Sequence, residues 1–406
     1  MSRTINPAEI PLALYVHLPW CAKKCPYCDF NSFTATREPP RTRYVDALLR
    51  DLDLNRALSG ERVLESVFLG GGTPSLFEPA DIARILAGIR ERFDLAAGAE
   101  ITMEANPGTV DCGDPAGYRE AGINRLSIGA QSFSDAALRR LGRIHTADAI
   151  GASFAAAREA GFDNINLDVM FCLPGQDVAA AVADIDAAVA LSPEHISWYH
   201  LTLEPNTVFH ARPPAGLPNE ELAADIQIAG AERLVEGGFR QYEVSAWARS
   251  GRECRHNLNY WTFGDYLAAG AGAHGKITTA AGIERFERPA NPEAYMQLLE
   301  QSLEQNLEQS PERREALTSR PVAAGDVIFE FMLNALRLKD GFSLGDFERA
   351  TGQDRTVLTS TLGRLTEAGL VEAREGGRVL PSERGYDVLN ELLAAFLPVS
   401  ERGQRV

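Results

Sequence analysis

The sequence predicts an α/β fold, a partial or closed (β/α) barrel followed by a small winged-helix-like domain. Three observations predict it. From Leu12 to about Thr202, short apolar runs alternate with amphipathic stretches. Side chains suited to chemistry fall just after those apolar runs. Beyond a charged, poorly apolar stretch, a compact set of helical patterns and one strand pair completes the chain.

The strand candidates, in order, are LALYVHL, VLESVFLGG, AEITMEAN, INRLSIGAQ, INLDVMFCLP and HISWYHLTL. Helical periodicity lies between them in RTRYVDALLRDLDLNRAL, PADIARILAGIRERF, DAIGASFAAAREAG and DVAAAVADIDAAVALS. Repeated strand–helix alternation means βα units, hence a parallel sheet with helices outside. In such an architecture the chemistry sits at the C-terminal ends of the strands. Cys21, Cys25 and Cys28 follow the first strand, and Gly70 to Ser75 (GGGTPS) follow the second. Glu104 ends the third, before Asn106 and Pro107; Gln131 follows the fourth; Asp168 lies in the next.

From Asn219 to His274 the pattern is mixed. A helix candidate, NEELAADIQIAGAERLVEGG, leads to one strand candidate, RQYEVSAWA, then to CRHNLNYW and a glycine-rich stretch, GDYLAAGAGAHG. The charged stretch from Asn306 to Arg320 reads as a linker. Residues 1–305 are therefore assigned to the barrel domain and residues 306–406 to the winged-helix-like domain. The latter has helix candidates VIFEFMLNAL, SLGDFERATG and RTVLTSTLGRLTEAG, a strand pair in LVEAREGGRVL turning at Gly376 and Gly377, and a final helix, YDVLNELLAAFL. Winged helices often read DNA. Here Arg355 and Arg364 are matched by Asp354 and Glu367, which favours packing, partner docking or gating.

The bulk numbers agree with two domains. The chain has 406 residues, 45% of them hydrophobic, and a formal net charge of −16. That charge argues against general nucleic-acid binding, which needs a basic footprint. Six cysteines, three of them in one short string and Cys112, Cys172 and Cys254 scattered, make no disulfide framework and fit a reducing compartment. No run approaches the length of a membrane span, and the N-terminus lacks a signal-peptide pattern. A cytoplasmic protein is expected, with room for peripheral membrane attachment.

The densest chemical signal is YVHLPWCAKKCPYCDF, with cysteines spaced C-x-x-x-C-x-x-C. Thiolates suit iron–sulfur centres, and a tight loop can aim several at one cluster. Zinc sites favour C-x-x-C with a second pair or histidines elsewhere, and the chain has no second pair. Three thiolates on a four-iron cube leave one iron open to a small molecule. The plainer alternative is a set of incidental thiols.

That string resembles the signature of the radical S-adenosylmethionine (SAM) superfamily. The resemblance implies a 4Fe-4S cluster held by Cys21, Cys25 and Cys28, with SAM chelating the open iron. In that family, reduction of the cluster cleaves SAM to methionine and a 5′-deoxyadenosyl radical. Carried over by position, Gly71 would line SAM, with Gly72 and Thr73 nearby. Tyr27 would stack on adenine, and Tyr15 would lie near the ligand. Core packing is the alternative for both tyrosines, and His17 reads as structural. Glu104, Gln131, Arg143 and Asp168 match positions that surround SAM or a second SAM in the porphyrin-related branch. A salt-bridge network across the barrel mouth is the alternative there.

CAKKCPYCDFNS, FLGGGTPS, ITMEANPGTV, RLSIGAQSF, LGRIH and SWYHLTLEPNT together resemble the subfamily of oxygen-independent coproporphyrinogen III dehydrogenases and HemW-type haem chaperones. The dehydrogenases carry a fourth cysteine two positions after the third; here that position is Phe30. They also have a longer N-terminal extension. CRHNLNYW contains H-N-x-x-Y, as in the chaperones, and implies His256 as an axial haem ligand with Tyr260 beside it. Cys254 and His274 are further candidates, and a loop histidine is the plainer reading. The resemblance thus implies a radical SAM-type barrel that binds haem and passes it to acceptors such as respiratory cytochromes or bacterioferritin. It leaves open whether redox state or radical chemistry triggers transfer. Oxidative decarboxylation of coproporphyrinogen III is the alternative activity.

Overall fold

The computed structural model describes residues 5–36, 38–108, 113–304 and 319–398. Strand β1 (Leu12–Leu18) coincides with the first apolar run and is buried along nearly its whole length, as a central parallel strand must be. The short strands β2 (Trp20–Cys21) and β3 (Phe33–Thr34) pair in parallel and tie together the two ends of the cysteine loop. Then α1 (Arg41–Ser59), β4 (Leu64–Gly71), α2 (Pro79–Arg92), β5 (Leu95–Ala105), α3 (Pro115–Ala121) and β6 (Arg125–Gln131) follow. Helices α4 (Asp135–Arg140) and α5 (Ala147–Glu159) precede β7 (Ile165–Phe171), and α6 (Val178–Ala190) precedes β8 (His195–His200). Asp114, Ser134, Thr146 and Asp177 each accept a first-turn backbone N–H, which fixes where α3, α4, α5 and α6 begin.

After β8 come α7 (Val208–Ala211), α8 (Glu220–Glu236), β9 (Arg240–Glu243), β10 (Ala246–Ala248), α9 (Arg255–Trp261), β11 (Asp265–Ala269), β12 (His274–Thr279), β13 (Gly282–Glu287) and α10 (Pro292–Glu304). The six expected strands run parallel in the order β1, β4, β5, β6, β7, β8. β11 adds a seventh parallel strand on the other side of β1. β9 forms one edge of this twelve-stranded sheet and β14 (Ser319–Pro321) the other, so the barrel is partial. The core lies between the sheet and its outer helices, with Leu14, Val67, Met103, Leu167 and Ile196 fully buried against side chains such as Leu48, Ile85 and Ile185.

Three expectations change. RQYEVSAWA is a hairpin, β9 and β10, and not one strand. The Glu243 carboxylate accepts the Ser245 N–H at 3.1 Å and turns the chain there. The glycine-rich stretch contains β11, and Gly270 (φ 112) follows it because a Cβ there would collide with the His17 carbonyl. Ser319 and Arg320, read as the end of a linker, pair with β13; the rest of that linker, from residue 306 to 318, lies outside the described residues.

The C-terminal unit holds α11 (Ala324–Ala335), β15 (Phe342–Ser343), α12 (Leu344–Thr351), α13 (Thr359–Glu367), β16 (Val371–Arg374), β17 (Arg378–Pro381), α14 (Glu383–Asp387) and α15 (Leu389–Ala394). The expected strand pair gains a third strand, in the order β15, β17, β16. The expected final helix is broken at Val388 (φ −113, ψ 42). Phe331 centres this core, with ring centroids 5.1 Å from Phe342, 5.2 Å from Phe347 and 5.5 Å from Phe263 of the barrel domain.

Candidate cofactor site at the barrel mouth

Cys21 ends β2, and Cys25 and Cys28 lie on the loop between β2 and β3; all three are half-buried. The Cys28 N–H donates to the Cys25 carbonyl at 3.2 Å. Lys24 Nζ donates to the carbonyls of Phe30 and Ser32, both at 3.0 Å, and closes the loop. Asn31 pins its far end by donating to the carbonyls of Ala271 and Ala290. His17 is structural, with one ring nitrogen bonded to Tyr15 Oη at 3.0 Å and the other to the Asn31 carbonyl at 2.8 Å. Burial pushes the Cys21 and Cys28 thiols above the ordinary cysteine range. Arg143 Nη1 donates to Cys25 Sγ at 3.6 Å.

Among the described residues, no three His, Cys, Asp or Glu side chains gather closely enough for one metal ion. A zinc site needs such convergence. A cluster asks each thiolate to meet a different iron, and three soft donors on one closed loop fit that requirement.

The GGGTPS loop lies against this one. Gly71 (φ 111) has no room for a side chain, since a Cβ would enter the His17 ring. A Cβ on Gly72 would lie 2.6 Å from the Trp20 carbonyl oxygen. The Gly71 N–H donates to Glu104 Oε2 at 3.0 Å. Asn106 Nδ2 donates to Thr73 Oγ1 at 2.8 Å, and Arg143 Nη2 donates to Asn106 Oδ1 at 2.5 Å. A bonded chain thus joins Thr73, Asn106, Arg143 and Cys25. The sequence reading placed Asn106 only at a strand end; its bridging role depends on the side chain turning across the mouth.

Burial, reinforced by the Asp168 carboxylate, pushes Glu104 up to about 8 against the opposing Gly71 N–H. Burial also raises Asp168, which Asn166 and Ser127 hold by donating at 2.8 and 3.0 Å. Gln131 (φ 67) accepts from Tyr199 Oη at 2.6 Å. Tyr27 packs beside Phe209, ring centroids 6.3 Å apart. Phe30 is 58% exposed on the same loop.

His256 and Tyr260 lie elsewhere. Helix α9 closes the other end of the barrel, where His256 is 1% exposed. Its Nδ1 meets Ser66 Oγ at 3.0 Å and its Nε2 meets Tyr260 Oη at 3.1 Å. Burial, then the nearby Arg125 guanidinium, pulls this imidazole down to about 3. Ser66 precedes Gly71 by five strand residues, so this floor lies roughly 16 Å below the mouth. Tyr15 sits between the two levels, its ring centroid 6.5 Å from that of His256. As placed, both imidazole nitrogens are engaged, and a haem iron requires one of them.

The lumen between the ends is polar. Alternate positions of β4 to β8 point inward and carry Ser66, Glu100, Thr102, Arg125, Ser127, Asn166, Asp168, His195 and Ser197. His195 joins Asn166 Oδ1 at 2.6 Å to Tyr242 Oη at 2.9 Å, and that hydroxyl accepts the Cys254 N–H at 3.3 Å. Cys254 is buried, so it presents no open thiol. Exposed His274 lies 3.6 Å from Glu287. Cys172 is buried; Cys112 lies outside the described residues.

Residues 15–188 match the model of the Radical SAM superfamily, and residues 322–388 match the HemN C-terminal domain. The chain is 43% identical to the heme chaperone HemW of Escherichia coli (strain K12) over 95% of this chain and 98% of that protein. It is 34% identical to the heme chaperone HemW of Bacillus subtilis (strain 168) over 94% and 98%. Its fold is similar to that of the radical SAM enzyme coproporphyrinogen III oxidase (HemN) from Escherichia coli, with a TM-score of 0.78, 24% identity, and coverage of 96% of this chain and 90% of that one.

Proposed function

Because the chain belongs to the HemW family of radical SAM proteins, we propose that it is a haem chaperone, which binds haem and passes it to haem-requiring acceptor proteins. The observation that carries this reading is identity above 40% to a heme chaperone across nearly the whole of both chains. Respiratory cytochromes and bacterioferritin are the acceptors proposed, with the cytoplasm as the compartment. Among the described residues no helix is long and apolar enough to cross a membrane; the membrane association proposed is a peripheral one.

In this reading Cys21, Cys25 and Cys28 hold a 4Fe-4S cluster, and Gly71, Gly72 and Thr73 line SAM. When bound, that pair supplies one-electron chemistry on SAM. Arg143 steadies the Cys25 thiolate and, through Asn106, sets the distance between the two loops. Glu104 keeps its proton at neutral pH until a cation or ribose hydroxyl arrives. Tyr27 walls the adenine side, while Gln131, Asp168 and Tyr15 line the lumen below. His256 supplies the haem ligand, with Tyr260 as its neighbour.

Phe30 weighs against porphyrinogen decarboxylation, because it occupies the position of the dehydrogenases' extra cysteine. Anaerobic haem titration and a coproporphyrinogen III turnover assay on the same reconstituted sample test the proposal. Haem binding that is lost in His256→Ala, without turnover, is expected. Turnover without haem binding would overturn the reading. Cys21→Ala should lose nearly all cluster iron and sulfide, and unchanged content would remove the cluster assignment.

A further inference from the structure

The side-chain arrangement at the barrel floor bears on how His256 is reached. Helix α9 begins without a side-chain cap of its own, because Cys254 at the N-cap position supplies none. Glu100 of β5 does this work from across the sheet. Its carboxylate accepts the N–H groups of Arg255 and His256, each at 3.2 Å, and the Cys254 thiol at 3.4 Å. Arg125 Nε lies 3.9 Å away and has no hydrogen-bond partner. One buried carboxylate therefore satisfies the first turn of the helix, and the groups it serves would otherwise be orphaned.

The other end of α9 is held by the C-terminal domain. Phe263 packs 5.5 Å from Phe331, and the Arg337 guanidinium covers Trp261 at 4.2 Å. Phe263 itself takes φ 63, a conformation that bulky side chains rarely adopt. On its outer side α9 faces a groove of about 1150 Å³, lined by residues that include Pro7, Ile10, Leu58, Leu258 and Ile277. The helix is thus fixed by polar bonds at one end and by aromatic packing at the other, with space beside it.

We propose that α9 is a releasable latch: Glu100 is its catch, the aromatic junction with the C-terminal domain is its hinge, and haem reaches His256 only when the catch opens. This rests on His256 being the haem ligand. With α9 closed, Ser66 of β4 holds Nδ1 and Tyr260, on α9 itself, holds Nε2; movement of the helix frees Nδ1, so association is limited by the fraction of molecules in which α9 has moved. The outer groove, which Leu258 and Thr262 of this segment already line, is the space into which the helix moves.

The test uses the full-length reconstituted protein. Amide hydrogen exchange of residues 255–261 and the haem association rate are measured in wild type, Glu100→Gln, Ser66→Ala and His256→Ala. Glu100→Gln should speed exchange in α9 by about tenfold or more, leave the central strands slow, and raise haem association in proportion. Ser66→Ala removes the bond that ties His256 to β4 and should speed α9 exchange and haem association together; it decides the matter if the Gln variant does not fold, and faster association without faster α9 exchange overturns the latch. Faster α9 exchange with unchanged haem association overturns the latch, as does unchanged behaviour in both variants. Undiminished haem binding in His256→Ala overturns the ligand reading itself, whatever α9 does.

Discussion

Glu104 makes the barrel mouth sensitive to pH. Its folded value, about 8, lies above the ordinary carboxylate range. The folded state therefore binds more protons than the unfolded chain between roughly pH 4.5 and 8. In that window the Glu104 contribution makes stability fall as pH rises, and the penalty is complete above the folded value. Glu104→Gln keeps an acceptor for the Gly71 N–H and removes the ionisation. Chemical denaturation should show the variant gaining on wild type from pH 5 to pH 8, and parallel profiles would contradict the assignment. The carboxylate at this strand end was legible in ITMEANP. The lumen as a whole was not, because Glu100, Arg125, Asn166 and His195 each stand singly in mostly apolar runs. A polar residue at every second position of consecutive strands was the available signal.

Among elements, β1 and β4 to β8 were legible because apolar runs of strand length recur between helical patterns. β11 was hidden by the glycines that flank it, of which Gly270 allows close approach to the His17 carbonyl. Helix α9 was hidden for a different reason. Its cap comes from Glu100, a residue 155 positions from Arg255 in the chain, and no local pattern carries that information. Its far end depends on Phe331, which is 1% exposed amid three other rings. Phe331→Ala should cost about 3–5 kcal/mol by denaturant unfolding. Because Phe263 shares that packing, the loss should extend to α9 and speed its amide exchange. A loss confined to the C-terminal helices would contradict the coupling.

At the scale of the molecule, the cysteine loop and the H-N-x-x-Y helix stand at opposite ends of one barrel. A polar interior connects them, with side chains bonded from Asp168 through Asn166, His195 and Tyr242 to the start of α9. The C-terminal domain carries few basic residues on its candidate recognition helix, and it packs against the floor through Phe263, Trp261 and the Arg337–Glu243 ion pair at 2.9 Å. The contact between the barrel and the C-terminal unit was not legible, because it arises from residues far apart in sequence. Haem transfer is the most direct measure of the whole account. The haem-loaded, reconstituted protein is mixed with an apo-cytochrome or apo-bacterioferritin, and the acceptor's haem spectrum is followed in time. Haem should leave this chain and appear in the acceptor faster than it does from an equal amount of free haem released by a non-specific carrier. Haem that stays bound, or that moves only at the free-haem rate, would contradict the proposal that this protein is a chaperone.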